Sequence, residues 1–269
     1  MPGKVGLALG AGSAKGFAHI GVLQEFEKNH IPIDMIAGSS MGAIIGAIYA
    51  VGTDLDLLQR FIRTINVREY LDLINPVTGG LGLVRGDRVE ELIRVLTHDK
   101  DFSQTRIPFL CVAVDAAEGR LAVLDQGKLH KSVRASMSIP GIFTPAEVNG
   151  RMYVDGGVID RVPCHVLKDA GMDVVIGVDV GYRGGGFDLS SSNPYQQINH
   201  TLDIMQWEIT KLRMSDADIL LLPQVRELVK GRISLAGSDA CIEEGRRVAR
   251  EALPRILQLL EENGIPLTE

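Results

Sequence analysis

The first half of the chain repeats one order of hydrophobic and polar positions. Residues 5–9 and 35–37 are short apolar runs, which are typical of strands that are buried on both faces. Each run is followed by a glycine-rich turn and then by a helical pattern, which extends to about Asn29 in the first case and to Ala50 in the second. Strand, turn and helix in this order favour an α/β fold with a mostly parallel central sheet.

The rest of the chain continues to alternate between the two periodicities. Thr53 and Asp56 have the spacing of a capping box and predict the start of a helix. Further helices are expected over residues 87–96, 129–138 and 163–170, around Trp207, and from Asp239 with an interruption at Pro254; strands are expected over residues 109–114, 121–124, 146–148, 151–154, 173–180 and 219–222. We therefore predict one domain over residues 1–269, folded as a three-layer α/β/α sandwich.

The balance of charged residues limits the kinds of partner that the chain is expected to bind. The 269 residues carry a net charge of -6 and a pI near 5.6. This balance argues against a nucleic-acid surface and against electrostatic adhesion to anionic lipid. Any transient contact with a membrane surface is therefore expected to be mainly apolar.

Cysteine usage and the apolar segments bear on the compartment. Cys111, Cys164 and Cys241 lie far apart, which is typical of reduced thiols in the cytoplasm. The apolar run near the N-terminus is too short for a signal peptide. Residues 35–53 carry no charge over the length of a membrane span, but their glycine, serine and threonine content favours a buried helix between turns. We expect a cytoplasmic protein whose membrane contact, if it has one, is peripheral.

A Gly-x-Ser-x-Gly pentapeptide, Gly38-Ser39-Ser40-Met41-Gly42, joins the second strand to its helix. A serine on so sharp a turn lies in strained backbone, and only very small neighbours such as Gly38 and Gly42 fit beside it. The N–H groups that begin the following helix are directed toward this serine. Ser40 is therefore the candidate nucleophile.

The first glycine-rich turn, residues 10–16, can gather backbone N–H groups into an anion-binding site. Such a site suits either a phosphate group or the oxyanion of an acyl-transfer intermediate. The turn departs from a dinucleotide fingerprint because Lys15 stands where a glycine is required, and it has no Walker-type ending. A phosphate- or nucleotide-binding protein is the alternative that these residues leave open.

A hairpin late in the chain, with Asn149-Gly150 as its turn, leads to Asp155-Gly156-Gly157. Two glycines after an acid allow other backbone to approach the carboxylate closely. The alternative is an ordinary turn-forming Asp-Gly pair.

Together these motifs resemble the patatin-like phospholipase family, in the same order and over nearly the full length. The resemblance is closest to the compact single-domain bacterial members. The matching stretches are residues 10–16, 17–23, 38–42, 135–143, 155–157 and 175–180.

The resemblance implies a serine acyl hydrolase that acts on lipid esters, phospholipid or lysophospholipid, without a metal or another cofactor. It implies a Ser–Asp dyad, with Ser40 as the nucleophile and Asp155 as its base. It further implies an oxyanion hole at the backbone N–H groups of Ala11, Gly12 and Ser13, a nucleophile elbow at Gly38, Met41 and Gly42, and an acid turn at Gly156 and Gly157.

The first turn departs from the family pattern at two points. Ala11-Gly12-Ser13 and Lys15 stand where the family has three glycines and an arginine. A lysine cannot form the forked hydrogen bonds of an arginine. We therefore expect the turn to be braced differently here.

A later histidine, His165 or His200, would also fit the chain order of a Ser–Asp–His triad. We expect a dyad, since His200 opens a helix with no turn glycine to present it, whereas Asp155 leaves a hairpin on a Gly-Gly turn. A non-catalytic acyl-binding module with the same fold is a further alternative.

Two stretches lack a regular period: residues 68–85 are apolar, and residues 181–194 are rich in glycine and serine. An acidic protein must recruit lipid through apolar surface. We therefore expect both stretches to flank the entrance for an acyl chain, as candidate lids; for residues 68–85 the alternative is an ordinary buried loop.

Overall fold

The computed structural model describes residues 3–65, 84–185, 192–229 and 235–268. Its strands form one sheet and are β1 (Val5–Leu9), β2 (Met35–Ser39), β3 (Phe109–Asp115), β4 (Arg120–Leu124), β5 (Ala146–Val148), β6 (Arg151–Asp155), β7 (Val174–Val178) and β8 (Ile219–Leu221). The helices are α1 (Ala18–Lys28), α2 (Met41–Ala50), α3 (Leu55–Thr64), α4 (Asp87–Leu96), α5 (Leu129–Ser136), α6 (Cys164–Asp169), α7 (Pro194–Arg213) and α8 (Ser238–Glu262).

The sheet is parallel in its main part. β1 lies between β2 and β7, and the parallel pairs continue from β2 to β3 and from β7 to β8. β3 also pairs antiparallel with β4 and with β6, and β6 pairs with β5. The expected α/β fold with a mostly parallel central sheet is confirmed.

Successive residues of β1 join different parts of the core. Leu7 and Leu9 pack with residues of α1, α2 and α8 on one face of the sheet. Ala8, between them, packs with Cys164 and Leu167 of α6 on the other face. Because both faces are covered, the parallel strands are almost uniformly apolar, and the sheet lies between two layers of helices.

Two predicted element boundaries are wrong. The side chain of Asp54, not that of Thr53, accepts the Leu57 N–H at 2.7 Å and caps α3. The helix α8 continues through Pro254 without interruption. Its last turns carry apolar residues into the core, and this burial offsets the hydrogen bond that a proline removes from a helix.

Residues 35–53 fold as the strand β2 and the ten-residue helix α2, so the alternative of a membrane span there is wrong. In the part of the chain that the structure describes, no helix is both long enough and apolar enough to cross a bilayer. Two stretches are expected to flank the acyl-chain entrance. Residues 68–83 of the first and residues 186–191 of the second lie outside the described residues.

Candidate active site

Ser40 lies at the sharp turn between β2 and α2, where the sequence predicts it. Its backbone has φ 54° and ψ −119°, a conformation that is costly for a residue with a Cβ atom. The residue is only 3% exposed. Strain of this kind persists where the surrounding packing fixes it, and the neighbours of Ser40 show how this packing is achieved.

Gly38 and Gly42 allow α2 to lie directly against the sheet. A Cβ atom on Gly38 would lie 2.5 Å from the Cα of Ala43, and one on Gly42 would overlap the carbonyl oxygen of Leu9. Neither position accepts a side chain unless backbone moves. Both glycines of the predicted elbow are therefore required by contacts among β1, β2 and the first turn of α2.

A hydroxyl from α5 holds the strained backbone. The Ser40 N–H donates a hydrogen bond to Ser136 Oγ at 3.0 Å, and Ser136 is fully buried. A buried N–H without a partner would cost about 1–3 kcal/mol. Ser136 therefore stabilises the elbow, and the Ser40 N–H is already engaged within the protein.

The first glycine-rich turn presents two backbone donors rather than three. The Ala11 N–H donates to the Arg161 carbonyl at 2.8 Å. Within the described ranges, the N–H groups of Gly12 and Ser13 donate no hydrogen bond. Of the three N–H groups expected as oxyanion donors, that of Ala11 is therefore already used within the protein, while those of Gly12 and Ser13 are not used by the described residues.

Gly12 has no side chain because Val180 lies directly beside it. A Cβ atom on Gly12 would lie 2.5 Å from Val180 Cγ2 and 3.1 Å from the Val180 carbonyl oxygen. The glycine thus lets the turn pack against the segment that follows β7.

His19 anchors the same turn from inside the core. The residue is fully buried, and its Nε2 lies 2.8 Å from the carbonyl oxygen of Gly10. Burial lowers the pKa of His19 to about 4, against the smaller raising effects of this bond and of Asp179. The ring is therefore neutral at pH 7, and its Nε2–H donates to Gly10.

The register of β3 brings Asp155 beside the elbow. Val112 of β3 pairs with Ser39, and the next residue, Ala113, pairs with Asp155. β6 therefore continues along β3 from the point where β2 ends. Since Ser39 immediately precedes Ser40, the two candidate catalytic residues lie close together, Asp155 at the end of β6 and Ser40 just after β2.

The two glycines after Asp155 are required by close contacts. The Gly157 N–H donates to Asp155 Oδ1 at 2.7 Å. A Cβ atom on Gly157 would lie 2.8 Å from Ala11 Cβ and 2.9 Å from that same oxygen, and one on Gly156 would overlap the Val112 carbonyl oxygen. The acid turn is therefore in direct contact with the glycine-rich turn.

A buried arginine fixes the backbone of Asp155 through Ser138. The Asp155 N–H donates to the Ser138 carbonyl at 3.0 Å. Arg134 Nη1 donates to Ser138 Oγ at 2.7 Å, and its Nη2 donates to the carbonyls of Arg85 and Thr144. Arg134 therefore joins the segment after α5 to the start of α4, and the backbone of Asp155 is hydrogen-bonded to that same segment.

Ser40 lies where two cavities meet. One cavity, of about 270 Å³, has charged side chains in its lining, among them Asp155, Lys15 and Arg161, and we call it the polar cavity. The other, of about 180 Å³, is apolar. Both cavities are lined by Ser13, Ser40 and Ile139.

The apolar cavity runs between α2, α3 and α4. Met41 lines it next to Ser40, and the walls farther along include Ile44, Ile48, Phe61, Ile62, Leu92 and Leu96. Of the stretch 181–194, Gly181 and Tyr182 line the polar cavity instead. The described residues of this stretch that reach a cavity therefore lie beside the polar cavity and not between these helices.

A buried ion pair forms one wall of the polar cavity. Arg161 Nη2 donates to Asp179 Oδ2 at 2.7 Å, and Nη1 donates to the Tyr182 carbonyl at 2.8 Å. The Arg161 guanidinium also lies 5.3 Å from the ring of Trp207. Losing either partner of such a pair leaves an uncompensated buried charge, so Arg161 and Asp179 fix this wall and the carbonyl that binds Ala11.

The two later histidines are placed differently from each other. His165 Nδ1 lies 3.2 Å from Asp160 Oδ2, outside the lining of both cavities, and this carboxylate raises the pKa of His165. His200 lines the polar cavity and meets the ring of Tyr182 edge-on at 5.2 Å. Because α7 begins at Pro194, the expectation that His200 opens a helix is wrong.

Several residues that hold the site are not predicted from the sequence. His19 and Ser136 fall inside two of the stretches that resemble the family, and this is the signal that could have marked them. Arg161 lies six residues after Asp155 in sequence. Nothing in its local pattern predicts a buried pair with Asp179, because that contact joins distant parts of the chain.

Comparison with known sequences agrees with the resemblance. A model of the family described as Patatin-like phospholipase matches residues 7–168. An uncharacterized NTE family protein of Mycobacterium bovis is 36% identical over 183 residues, which are 68% of this chain and 51% of that protein. The protein named Lysophospholipase NTE1 of Coccidioides immitis is 30% identical over 302 residues, which are 98% of this chain and 18% of that protein. The chain thus spans about half the length of the mycobacterial relative and less of the fungal one.

Comparison with solved structures bears on the fold. Human GIVD cytosolic phospholipase A2, solved with a methyl gamma-linolenyl fluorophosphonate inhibitor, superposes with a TM-score of 0.52 and 10% identity, covering 97% of this chain and 59% of that one. At this identity the likeness shows the fold alone. The family match, in contrast, spans more than half of the chain and includes the glycine-rich turn, the elbow and the acid turn. The chain belongs to the patatin-like phospholipase family.

Proposed function

We propose that this chain hydrolyses the ester bond of a lipid with a single acyl chain, namely a lysophospholipid. The observation that carries the proposal is the position of Ser40 between an apolar and a polar cavity. A lysophospholipid is divided in the same way, with one acyl chain on one side of its ester and a charged head group on the other. The name of the fungal relative supports the same substrate class.

In the proposed reaction Ser40 is the nucleophile and Asp155 its base. Ser40 Oγ attacks the ester carbonyl while its proton passes to Asp155, and the alcohol then leaves with that proton, so that an acyl-serine remains. Water attacks the acyl-serine while Asp155 takes its proton. As the bond between the acyl group and Oγ breaks, Asp155 returns that proton to Ser40 Oγ, so that the fatty acid is released and Ser40 is restored. Because the proton moves during the attack, a carboxylate suffices as the base.

The negative charge that develops on the carbonyl oxygen is stabilised, in this proposal, by Gly12 and Ser13. Their N–H groups donate no hydrogen bond within the described residues, and both residues line the cavity that contains Ser40. Donors that are fixed before the reaction are the most effective form of this stabilisation. The helix α2 begins directly after Ser40, and the positive end of its dipole adds to this stabilisation.

The sizes and charges of the cavities favour one acyl chain over two. An apolar cavity of about 180 Å³ is slightly larger than the ~150 Å³ cavity that takes up benzene, so it accepts the first part of a single chain. The other space that reaches Ser40 is lined by Lys15 and Arg226 as well as by Asp155 and Asp203, and its positive groups suit a phosphate. A second acyl chain would have to lie among these charged groups.

The test is the release of fatty acid from palmitoyl lysophosphatidylcholine and from diacyl phosphatidylcholine. We expect the wild-type chain to cleave the lysophospholipid at least about tenfold faster than the diacyl phospholipid. A ratio of this size is expected because the second acyl chain would have to lie among charged groups. Ser40→Ala should abolish the release and also the labelling by a fluorophosphonate probe. Ser39→Ala is the matched control and should keep activity, because Ser39 Oγ is buried and hydrogen-bonds to none of the described residues.

Three results would contradict the proposal. A folded Ser40→Ala variant that still releases fatty acid would exclude the nucleophile. A wild-type chain that binds fatty acid but cleaves no ester would support the non-catalytic acyl-binding module. Nucleotide binding in calorimetry, again without ester cleavage, would support the phosphate-binding alternative.

A further inference from the structure

The helix α7 carries a row of exposed apolar side chains. Ile198, Met205 and Leu212 are 62%, 55% and 83% exposed. They are spaced seven residues apart, so they lie on one side of the helix. Leu202 and Ile209, both partly buried, lie along the edge of this row. We call Ile198, Met205 and Leu212 the α7 stripe.

The other side of α7 is committed to the polar cavity. His200, Asp203 and Gln206 line this cavity, and the Trp207 ring packs against the guanidinium of Arg161. Thr210, one turn farther on, is buried. These contacts fix the rotation of α7, so the stripe cannot turn inward and is available to a partner.

A second copy of this chain is the less suitable partner. The stripe extends over about 21 Å of helix, and three side chains fall far short of the ~800 Å² that each subunit of a stable dimer buries. A seam between two helices also needs apolar residues three or four positions after those of the stripe. Thr201 and Glu208 stand at the first spacing instead, and Leu202 and Ile209, at the second, are already partly buried within the chain.

A lipid surface fits the position and the charge of the stripe. One helix diameter, about 10 Å, separates the stripe from the cavity that holds the proposed head group. Glu208 and Lys211, beside the stripe, pair at 2.6 Å and cancel each other's charge. The net charge of the chain is -6, which disfavours an anionic surface.

We propose that α7 docks on a zwitterionic lipid surface through Ile198, Met205 and Leu212. The choice of lipid as the partner rests on the proposed function, because the cavity behind the helix would receive its substrate from that surface. Helices with one apolar side lie in the plane of the lipid interface with that side inserted. Docking in this orientation holds the polar cavity next to the lipid.

The test is flotation with phosphatidylcholine vesicles, carried out in the Ser40→Ala background so that no lipid is consumed. Replacing Ile198, Met205 and Leu212 together by Gln should lower the vesicle partition coefficient roughly tenfold or more. The matched control replaces Val123, Met152 and Leu267 by Gln, which are 45%, 44% and 48% exposed and lie outside α7. This control should bind vesicles as the parent does. Leu212→Gln alone, at the most exposed position, gives a smaller loss that can be measured even if the triple variant does not fold.

The active chain provides the second measurement. With Ser40 intact, the stripe variant should cleave lysophospholipid in vesicles more slowly than the wild-type chain does. It should cleave a water-soluble short-chain ester at the unchanged rate. Unchanged partition, or an equal loss in the control variant, would overturn the proposal. A dimer in sedimentation velocity that the stripe variant lacks would assign the stripe to a second copy. Failure of the proposed function is distinct, because ester cleavage would then be absent while vesicle docking is retained.

Discussion

Ser136 Oγ accepts the backbone N–H of Ser40 at 3.0 Å across a separation of 96 residues. This bond joins α5 to the elbow and satisfies the backbone N–H that the strained turn buries at Ser40. The geometry of the proposed nucleophile therefore depends on a residue that touches no substrate.

Ser136→Ala should accordingly weaken both the fold and the reaction. The Ser40 N–H would lose its partner, which costs about 1–3 kcal/mol of unfolding free energy, and kcat should fall while KM for a soluble ester stays near the wild-type value. Ser132→Ala is the control, since Ser132 is equally buried on the same helix but does not contact Ser40. Urea unfolding and ester kinetics on both variants provide the measurement. A Ser136→Ala chain with full kcat would show that the geometry of the turn at Ser40 does not depend on this hydrogen bond.

Asp155→Asn should be as damaging as Ser40→Ala. The substitution keeps the oxygen that accepts the Gly157 N–H but removes the proposed base, for which we expect a loss of ~10²–10⁴ in kcat/KM. His165→Ala and His200→Ala should each remain within about tenfold of wild type, well short of that range. All four variants are to be measured on one soluble ester. Because His200 shares the cavity of Ser40, a collapse at His200 in a protein that still melts cooperatively would replace the dyad by a triad.

Gly12→Ala should depress kcat through the backbone. The new Cβ atom would collide with Val180 and displace the N–H groups of the turn, and misplacing an oxyanion donor commonly costs ~10²–10³ in rate. Adding Val180→Ala removes the nearest atom of the collision and should recover part of this loss. The two single variants and the double variant form a cycle whose coupling energy reports the contact. Strictly additive losses would show that Gly12 acts on the rate in another way.

Filling the apolar cavity should change the preference for acyl-chain length. Ile44 and Ile48 lie four and eight residues beyond Ser40 on α2, about 6 Å and 12 Å along the helix. Ile48→Trp should reduce kcat/KM for palmitoyl esters about tenfold or more and spare acetyl and butyryl esters. Ile44→Trp should affect the butyryl ester as well. Rates on p-nitrophenyl esters of increasing length test this, and an equal effect on every ester would mean that the chain lies elsewhere.

His19 should make the fold sensitive to mild acid. Its pKa is about 4 in the folded chain and about 6.5 when unfolded, so between these values the unfolded state binds more protons. The contribution of His19 is therefore complete above pH 6.5 and is lost as the pH falls toward 4, by up to about 1.4 kcal/mol per pH unit. His19→Gln keeps a donor for Gly10 but does not titrate. Urea unfolding at pH 7, 5.5 and 4.5 should show a steeper loss for wild type than for this variant, and parallel curves would refute the assignment.

The elbow could be predicted from the sequence because Gly38 and Gly42 stand beside Ser40 in the chain and the Gly-x-Ser-x-Gly pattern marks both. The contact that excludes a side chain at Gly38 is local, with Ala43, whereas the one at Gly42 is with the distant Leu9 and is not visible in the sequence. The fold could also be predicted, since apolar strands that alternate with helices have few other solutions.

The remaining features of the site depend on contacts between distant residues. Asp155 lies beside Ser39 because of the register of β3, and the use of the Ala11 N–H depends on the carbonyl of Arg161. The apolar cavity exists because three separate helices leave a gap between them. A single sequence records which side chains are apolar but not how far apart the packed helices come to rest.

The junction of the two cavities at Ser40 also sets an order in which products depart. In the proposed reaction the alcohol is released into the polar cavity first, while the acyl group is still bonded to Ser40 in the apolar one. The fatty acid is the last product to leave, and it leaves the space that the next substrate must enter. Accumulating fatty acid should therefore compete with fresh lipid for the free enzyme. The released alcohol should instead react with the acyl-enzyme and re-form the ester.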